Sequence, residues 1–246
     1  MFKCLKNHPF AIEAHFESSL VLTFAVPKSQ LEKYIPECLN LDTFKDKWAF
    51  VAMALVQTKG LRPKGFPRFM GNSFFLIGYR VFVRYTNNAG KRLRGLYILK
   101  SETNKKKMEF MGNVFTHYNY STTDIIQKEE GNIRIIESKQ SSFNIKIENT
   151  TDEISLPENS PFEYWKEARR YAGPLPFTFT YNEGTAEVLT IEGVRQNWTP
   201  KPQKISDYKV SFLQSLNLTN VVLANAFVIK DVPYYWKKGK IEMWKK

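Results

Sequence analysis

Hydrophobic and polar positions along the chain alternate mostly with a period of two or run in short apolar blocks, the pattern of strands rather than long helices. Ser19 to Val26 (SLVLTFAV) predicts a buried strand stopped by Pro27. A short helix follows, with Ser29 as a cap and Leu31, Tyr34 and Ile35 as its apolar stripe before Pro36. Trp48 to Gln57, Ser73 to Tyr85, Lys91 to Lys100 and Val114 to Tyr120 predict successive strands separated by turn-rich segments. Residues 132–137 and 142–148 predict a hairpin turning at 138–141, and the polar run 149–160 a long loop. The clearest helix signal comes next: Ser160 and Glu163 have capping-box spacing, Pro161 suits a first turn and Gly173 a left-handed cap. Phe162, Trp165, Ala168 and Ala172 mark the buried stripe of that helix. Ala186 to Val194 and Asn220 to Val232 predict late strands, and Ser206 to Leu216 a second helix on Tyr208, Phe212 and Leu216. Closely spaced strands with tight turns point to an antiparallel sheet or barrel in a β-rich α+β chain, and residues 1–246 are expected to form one domain.

Composition strengthens the sheet expectation. Aromatic residues make up 15% of the 246, and these favour pleated, half-buried surfaces. No apolar run approaches the roughly 20 residues of a membrane-spanning helix. His8, Pro9 and Glu13 interrupt the apolar core that a signal peptide would need, so a cytoplasmic location and no membrane partner are expected. Cys4 and Cys38 are the only cysteines, too few for a disulfide framework and without metal-knuckle spacing.

Charge draws attention to one segment. The formal net charge is +12. Residues 91–107 contribute half of it, with Lys91, Arg92, Arg94, Lys100, Lys105, Lys106 and Lys107 against Glu102 alone. Attraction to anions follows, whether metabolite, nucleic acid or an acidic partner. Nucleic acid is the weaker expectation, because no stacking motif, zinc knuckle or basic recognition helix accompanies the charge.

The same region carries the candidate chemistry. Strand alternation groups Arg92, Arg94, Leu96, Ile98 and Lys100 on one face, so Lys100 ends an apolar face where a desolvated amine could attack a carbonyl. Glu102 could equally pair with it and keep it charged. Asn104 is placed to cap a turn of helix with Met108 and Met111 inward and Gly112 closing it. The next strand would then carry Asn113, Phe115, His117 and Asn119 on one face and Val114, Thr116, Tyr118 and Tyr120 on the other. Polar groups on both faces suggest that one lines a cavity. Lys100 and His117 are therefore the catalytic candidates, with His117 as the group that titrates near neutrality. Glu102, Asn113, Tyr118, Arg169 and Arg170 are the ligand-binding candidates, the two arginines as a bidentate hold on a carboxylate or phosphate. His8 and His15 have no metal-ligand spacing, and no glycine-rich phosphate loop is present, so neither a metal nor a nucleotide cofactor is expected.

Taken in order, LVLTFAVPKSQLEKYIPECLNLDTF, LRPKGFP, RGLYILKSETNKKKMEFMGNVFTHYNY, ARRYAGPLPFTF and VPYYWKKG resemble the YqjF-like family of uncharacterised proteins, a branch of the acetoacetate decarboxylase-like superfamily. The resemblance implies a conical antiparallel β-barrel with a few peripheral helices, an internal pocket and assembly into a homo-oligomer. Decarboxylases of that superfamily use a Schiff-base lysine within Phe-Pro-Lys-Lys and an arginine on the first strand. Here the two lysine positions fall on Ile98 and Leu99, Lys100 fits only with a one-residue slip, and Ala25 occupies the arginine position. The leading expectation is a pocket for a small anionic or carbonyl-bearing metabolite, without decarboxylation by the superfamily's route. The alternatives are a non-enzymatic ligand-binding or sensing domain and a basic nucleic-acid or acidic-partner binder.

Overall fold

The computed structural model describes residues 5–172 and 175–245, so Cys4 and Gly173 lie outside the described residues. The described chain runs through β1 (Ile12–Pro27), α1 (Lys28–Leu31), β2 (Asn40–Leu41), β3 (Trp48–Pro63), β4 (Asn72–Thr86), β5 (Arg92–Thr103) and α2 (Lys106–Phe115). It continues with β6 (Tyr120–Thr122), β7 (Ile126–Glu130), β8 (Ile133–Ser138), β9 (Phe143–Glu148), α3 (Trp165–Ala168), β10 (Phe177–Asn182) and β11 (Glu187–Arg195). It ends with β12 (Lys201–Pro202), β13 (Lys204–Val210), α4 (Ser211–Ser215), β14 (Val222–Trp236) and β15 (Lys240–Met243). The fold is β-rich α+β. The expected strands at 19–26, 48–57 and 73–85 lie within strands, those at 91–100, 186–194 and 220–232 do so apart from their first one or two residues, and the β8–β9 hairpin turns where expected.

Strand pairing explains why these segments run so long. β14 pairs with β1, then β1 with β3, β3 with β4, β4 with β5, β5 with β10, and β10 with β11. β11 then returns to β14 through Gly193↔Trp236, Val194↔Tyr235 and Arg195↔Tyr234, so the chain of pairings closes on itself. Closure leaves these seven strands without a free edge along the circuit. The arrangement is not purely antiparallel, because β5 and β10 run parallel at Phe177↔Gly95, Thr178↔Leu96 and Phe179↔Tyr97. A segment between them must therefore cross back, and residues 104–176 provide that connection.

Both faces of this sheet are buried, which accounts for near-continuous apolar strands such as Ala49 to Val56. Outward-facing Leu22, Phe24, Ile77, Tyr79 and Val81 pack with Ile136, Phe143, Ile145 and Ile147 of a second sheet, ordered β13-β9-β8-β7, and with Leu213 of α4. Inward-facing Ala25, Ala52, Ala54 and Ala224 share a cluster with Phe50, Phe82, Phe162 and Tyr171. Phe162 stacks on Phe50 at 5.6 Å and Tyr171 approaches Phe50 at 4.5 Å, so the segment around α3 fills the end of the interior at Phe50 and Phe82. Asp42, fully buried just after β2, accepts from Arg84 Nε at 2.7 Å and is also bonded by Arg94. Both guanidiniums are thereby committed to holding β2 against the sheet.

Three expectations need correction. The helix expected from Ser160 begins at Trp165, because Ser160 Oγ donates to the Ala224 carbonyl at 2.7 Å and accepts from the Phe162 amide at 3.2 Å, anchoring a turn instead. The buried stripe survives, with Phe162, Ala168 and Ala172 all in the core. The helix expected over 206–216 is β13 followed by the short α4, since residues 204–210 pair with β9 and tertiary pairing overrides a helical spacing of apolar residues. The strand expected over 114–120 is the end of α2, a turn at Asn119 with φ 49°, and β6.

The β5–β10 contact gives a direct check on ring closure. A Cβ added at Gly95 would lie 2.3 Å from the Phe177 carbonyl oxygen, on backbone that cannot rotate away. Gly95→Ala should cost about 1–3 kcal/mol or more, as overpacking does. Urea unfolding would read this as a lower midpoint, and an unchanged midpoint would contradict the close parallel pairing.

Candidate functional site

All seven strands of the closed circuit contribute side chains to one cavity of about 140 Å³. By the measure in which one water needs about 10–15 Å³, this holds several waters or one small molecule. Most of its wall is apolar, from Phe16, Val56, Leu61, Phe74, Leu96 and Ile98. Two guanidiniums, Arg80 and Arg195, stand in that wall with the hydroxyls of Tyr118, Tyr120 and Tyr234. No lysine, aspartate or glutamate is among the described lining residues.

Arg80 is the unusual member. Inward positions on β4 are Phe74, Leu76, Gly78, Arg80 and Phe82, so alternation delivers one charge onto an otherwise apolar face. Protein surrounds Arg80, and the accessible surface that it keeps belongs to the cavity. Its Nε has no hydrogen-bond partner among the described residues. Burial holds the guanidinium below the usual arginine range, partly offset by Tyr234, Tyr120 and Tyr118 and reinforced by the like charge of Arg195. Gly78 makes room for it: a Cβ there would lie 2.8 Å from Arg80 Nε. Gly193 does the same for Tyr234, whose hydroxyl a Cβ would meet at 2.0 Å.

Arg195 is better satisfied. It donates to the Leu175 carbonyl at 2.7 Å and lies over the rings of Trp198 at 4.8 Å and Tyr234 at 5.1 Å. Burial raises the Tyr118 and Tyr120 hydroxyls, Tyr120 to about 12, so both remain protonated donors at neutral pH. His8 also lines the cavity. Its Nδ1 has no partner among the described residues, and burial lowers its pKa, which favours the neutral ring.

Of the residues singled out in the sequence, Tyr118 lies in the cavity wall and Lys100 does not. The cause is a β-bulge. Tyr79 pairs with Lys100 but Arg80 pairs with Ile98, so Leu99 is an extra residue in β5. The expected alternation Leu96, Ile98, Lys100 therefore breaks, and Ser101 follows Ile98 into the cavity wall. Lys100 and Glu102 turn to the outer face, where they pair at 2.6 Å. Ser141 Oγ donates to the same Glu102 carboxylate at 2.6 Å, tying the second sheet to the first. With its amine paired to Glu102 on the outer face, Lys100 is not placed to act as a nucleophile in the cavity.

His117 is also outside the cavity wall: its Nε2 sits 3.1 Å from Asn7 Oδ1, with its pKa lowered by burial and by Lys6. Lys100 and His117 share no enclosed space. Asn113 clamps α2 to β6, donating to the Tyr120 carbonyl at 2.9 Å and accepting from the Tyr120 amide at 2.8 Å. Asn104 does not cap α2; it accepts from the Phe75 amide at 2.9 Å. Arg169 donates to the Trp198 carbonyl at 3.3 Å, and Arg170 is exposed outside the cavity wall. The basic run 91–107 is likewise divided, with Arg94 on Asp42, Lys100 on Glu102 and the remaining cations at the surface. Cys38 is buried and its thiol pushed up to about 12, so it is no thiolate nucleophile. Among the described residues no group of His, Cys, Asp and Glu comes together as a metal site, and no helix is long and apolar enough to cross a membrane.

Arg80 and Arg195 escaped sequence reading, although Arg80 carried a signal: a cation on a strand face where the neighbours two residues away are Gly78 and Phe82.

Comparisons with known proteins agree with the motif resemblance. The profile of the family DUF2071, described as an uncharacterized conserved protein, matches residues 13–241. A search of curated protein sequences found no match. Among solved structures, acetoacetate decarboxylase from Legionella pneumophila subsp. pneumophila has a TM-score of 0.64 at 10% identity, covering 95% of this chain and 88% of that one. A second acetoacetate decarboxylase gives 0.57 at 10% identity, covering 97% and 91%. The enduracididine biosynthesis enzyme MppR, complexed with pyruvate, gives 0.53 at 9% identity, covering 95% and 90%. At these identities the likeness is one of fold.

Two predictions follow from the groups in the wall. Without ligand, Arg80→Met should stabilise the protein by about 1–4 kcal/mol, since an uncompensated buried charge is exchanged for apolar volume. A lower thermal midpoint would mean that Arg80 has a structural partner. His8, with a folded pKa below its unfolded value, should contribute a loss of stability as pH falls through about 6.5, because the unfolded chain then binds the proton more readily. Urea unfolding at pH 7.5 and 5.5 should show a smaller difference for His8→Gln than for the parent.

Proposed function

The chain belongs to the DUF2071 family of uncharacterised conserved proteins, and from that premise we propose that it binds a small carboxylate-bearing metabolite inside a conical barrel of seven strands. Arg80 is the observation that carries this reading. A buried guanidinium with no counter-charge among the described residues is costly, by several kcal/mol even after relaxation, and an anionic ligand would offset that cost. Arginine offers a planar fork that matches a carboxylate, with the neighbouring tyrosines as further donors. The apolar remainder of the wall suits a short carbon skeleton.

The comparisons support the ligand class without fixing it. Acetoacetate decarboxylase takes its name from a small oxo acid, and MppR holds pyruvate in the same fold. The amine route is not available here. Ile98, at the position where the resemblance sets a lysine, faces the cavity as an apolar side chain, and Lys100 is paired outside it. Ala25, at the arginine position, is buried in the apolar cluster with Phe50 and Phe82. Binding would therefore rely on ion pairing and hydrogen bonds, without the Schiff-base decarboxylation that the sequence also argued against.

Calorimetric titration with pyruvate and with its amide, pyruvamide, tests the reading. The acid should bind and the amide should be at least about tenfold weaker, while Arg80→Met should lose the acid by a similar factor. Borohydride reduction in the presence of pyruvate should leave no lysine adduct in the mass spectrum. Equal binding of acid and amide would overturn the anion reading, and a pyruvate adduct on any lysine would overturn the non-covalent one.

A further inference from the structure

The cavity contains two cations, and a single carboxylate would answer only one. Arg80 and Arg195 both stand in its wall, each held below the usual arginine range chiefly by burial, and Arg195 is among the charges that act on Arg80. The partners of Arg195 are a backbone carbonyl and two aromatic faces, none of which carries a negative charge.

Carboxylates near the opening are already committed. A groove outside the cavity is lined by Glu13, Lys59, Arg62 and Arg68 and shares Arg195 and Tyr234 with it. Glu13 is paired with Arg62 at 2.6 Å, and Glu17 with Lys59 at 3.2 Å. Arg80 lines the cavity but not the groove, whereas Arg195 lines both. Arg80 thus borders the cavity alone, and Arg195 borders both the cavity and the groove.

We propose that the ligand is a dicarboxylate, one carboxylate seated on Arg80 inside the cavity and the other on Arg195 where the cavity meets the groove. The assignment rests on the carboxylate reading above and narrows it to a substrate class. Two separated negative charges neutralise two separated cations, whereas a monocarboxylate leaves one buried positive charge uncompensated. The apolar wall between them accepts the connecting carbons, and Tyr118, Tyr120 and Tyr234 supply neutral donors to the inner carboxylate.

Calorimetry with chain-matched ligands separates this inference from the reading beneath it. The panel is butyrate, succinate, glutarate, propyl phosphate and inorganic phosphate, titrated into the parent, Arg80→Met, Arg195→Met and Arg195→Lys, each checked for a native melting transition. Succinate or glutarate should bind at least about tenfold tighter than butyrate. Arg195→Met should weaken the dicarboxylate at least about tenfold more than it changes butyrate, erasing the preference between them, and Arg195→Lys should restore most of that preference. Arg80→Met should weaken both ligands. Butyrate equal to the dicarboxylates in the parent overturns the dicarboxylate assignment and leaves the carboxylate reading standing. Propyl phosphate or inorganic phosphate tighter than either dicarboxylate overturns the separation of the two charges. No carboxylate binding at all overturns the carboxylate reading and this assignment together.

Discussion

A guanidinium transferred from water into a protein interior loses hydration that only an opposite charge or a full set of acceptors can replace. At Asp42 this chain provides that compensation, and Arg84 and Arg94 are both satisfied by a fully buried carboxylate. At Arg80 no described residue bonds the buried Nε. The two cases occur on the same strand, four residues apart, so the contrast is a property of position and not of residue type. Arg84 holds the fold together through Asp42, and Arg80 is the group for which a ligand is proposed.

The closed circuit of strands is what keeps Arg80 from escaping to solvent. Each strand presents one face inward, and the plug formed by Phe50, Phe82, Phe162 and Tyr171 fills one end, so a charge at an inward position of β4 has only the cavity to face. The second sheet matters indirectly. It buries the outer face of the circuit and is fastened by the Lys100–Glu102–Ser141 contacts, which use up the amine that a decarboxylase-like reaction would require. The Leu99 bulge thus determines both what the cavity lacks and what the sheet interface gains.

Much of this architecture was legible in the sequence, for definable reasons. Long apolar segments such as Trp48 to Gln57 and Ser73 to Tyr85 could only be strands, and the ordered motifs identified the family whose profile spans residues 13–241. Local signals misled where a distant partner competed: Ser160 bonds to Ala224 instead of capping a helix, and residues 204–210 join β9 despite helically spaced aromatics. The site was less legible. Strict alternation along β5 put Lys100 beside Ile98, but alternation fails at a bulge, and nothing local to Leu99 announces one. Tyr118 was found as a cavity residue although the strand expected to carry it is a turn, because its polar group had to be accommodated whichever backbone presented it. Attention to clustered charge in 91–107 passed over Arg80, set between Gly78 and Phe82 on the inward face of β4, which is the stronger physical signal because charges are rarely buried on an apolar face without function.

The most direct test of Arg80 as an anion receptor is a crystal structure of the protein grown with a small carboxylate such as pyruvate. The account predicts carboxylate oxygens at about 2.7–2.9 Å from the Arg80 guanidinium, inside the ring of strands. Carboxylate density confined to the outer surface, or Arg80 turned to pair with a carboxylate of its own chain, would contradict it.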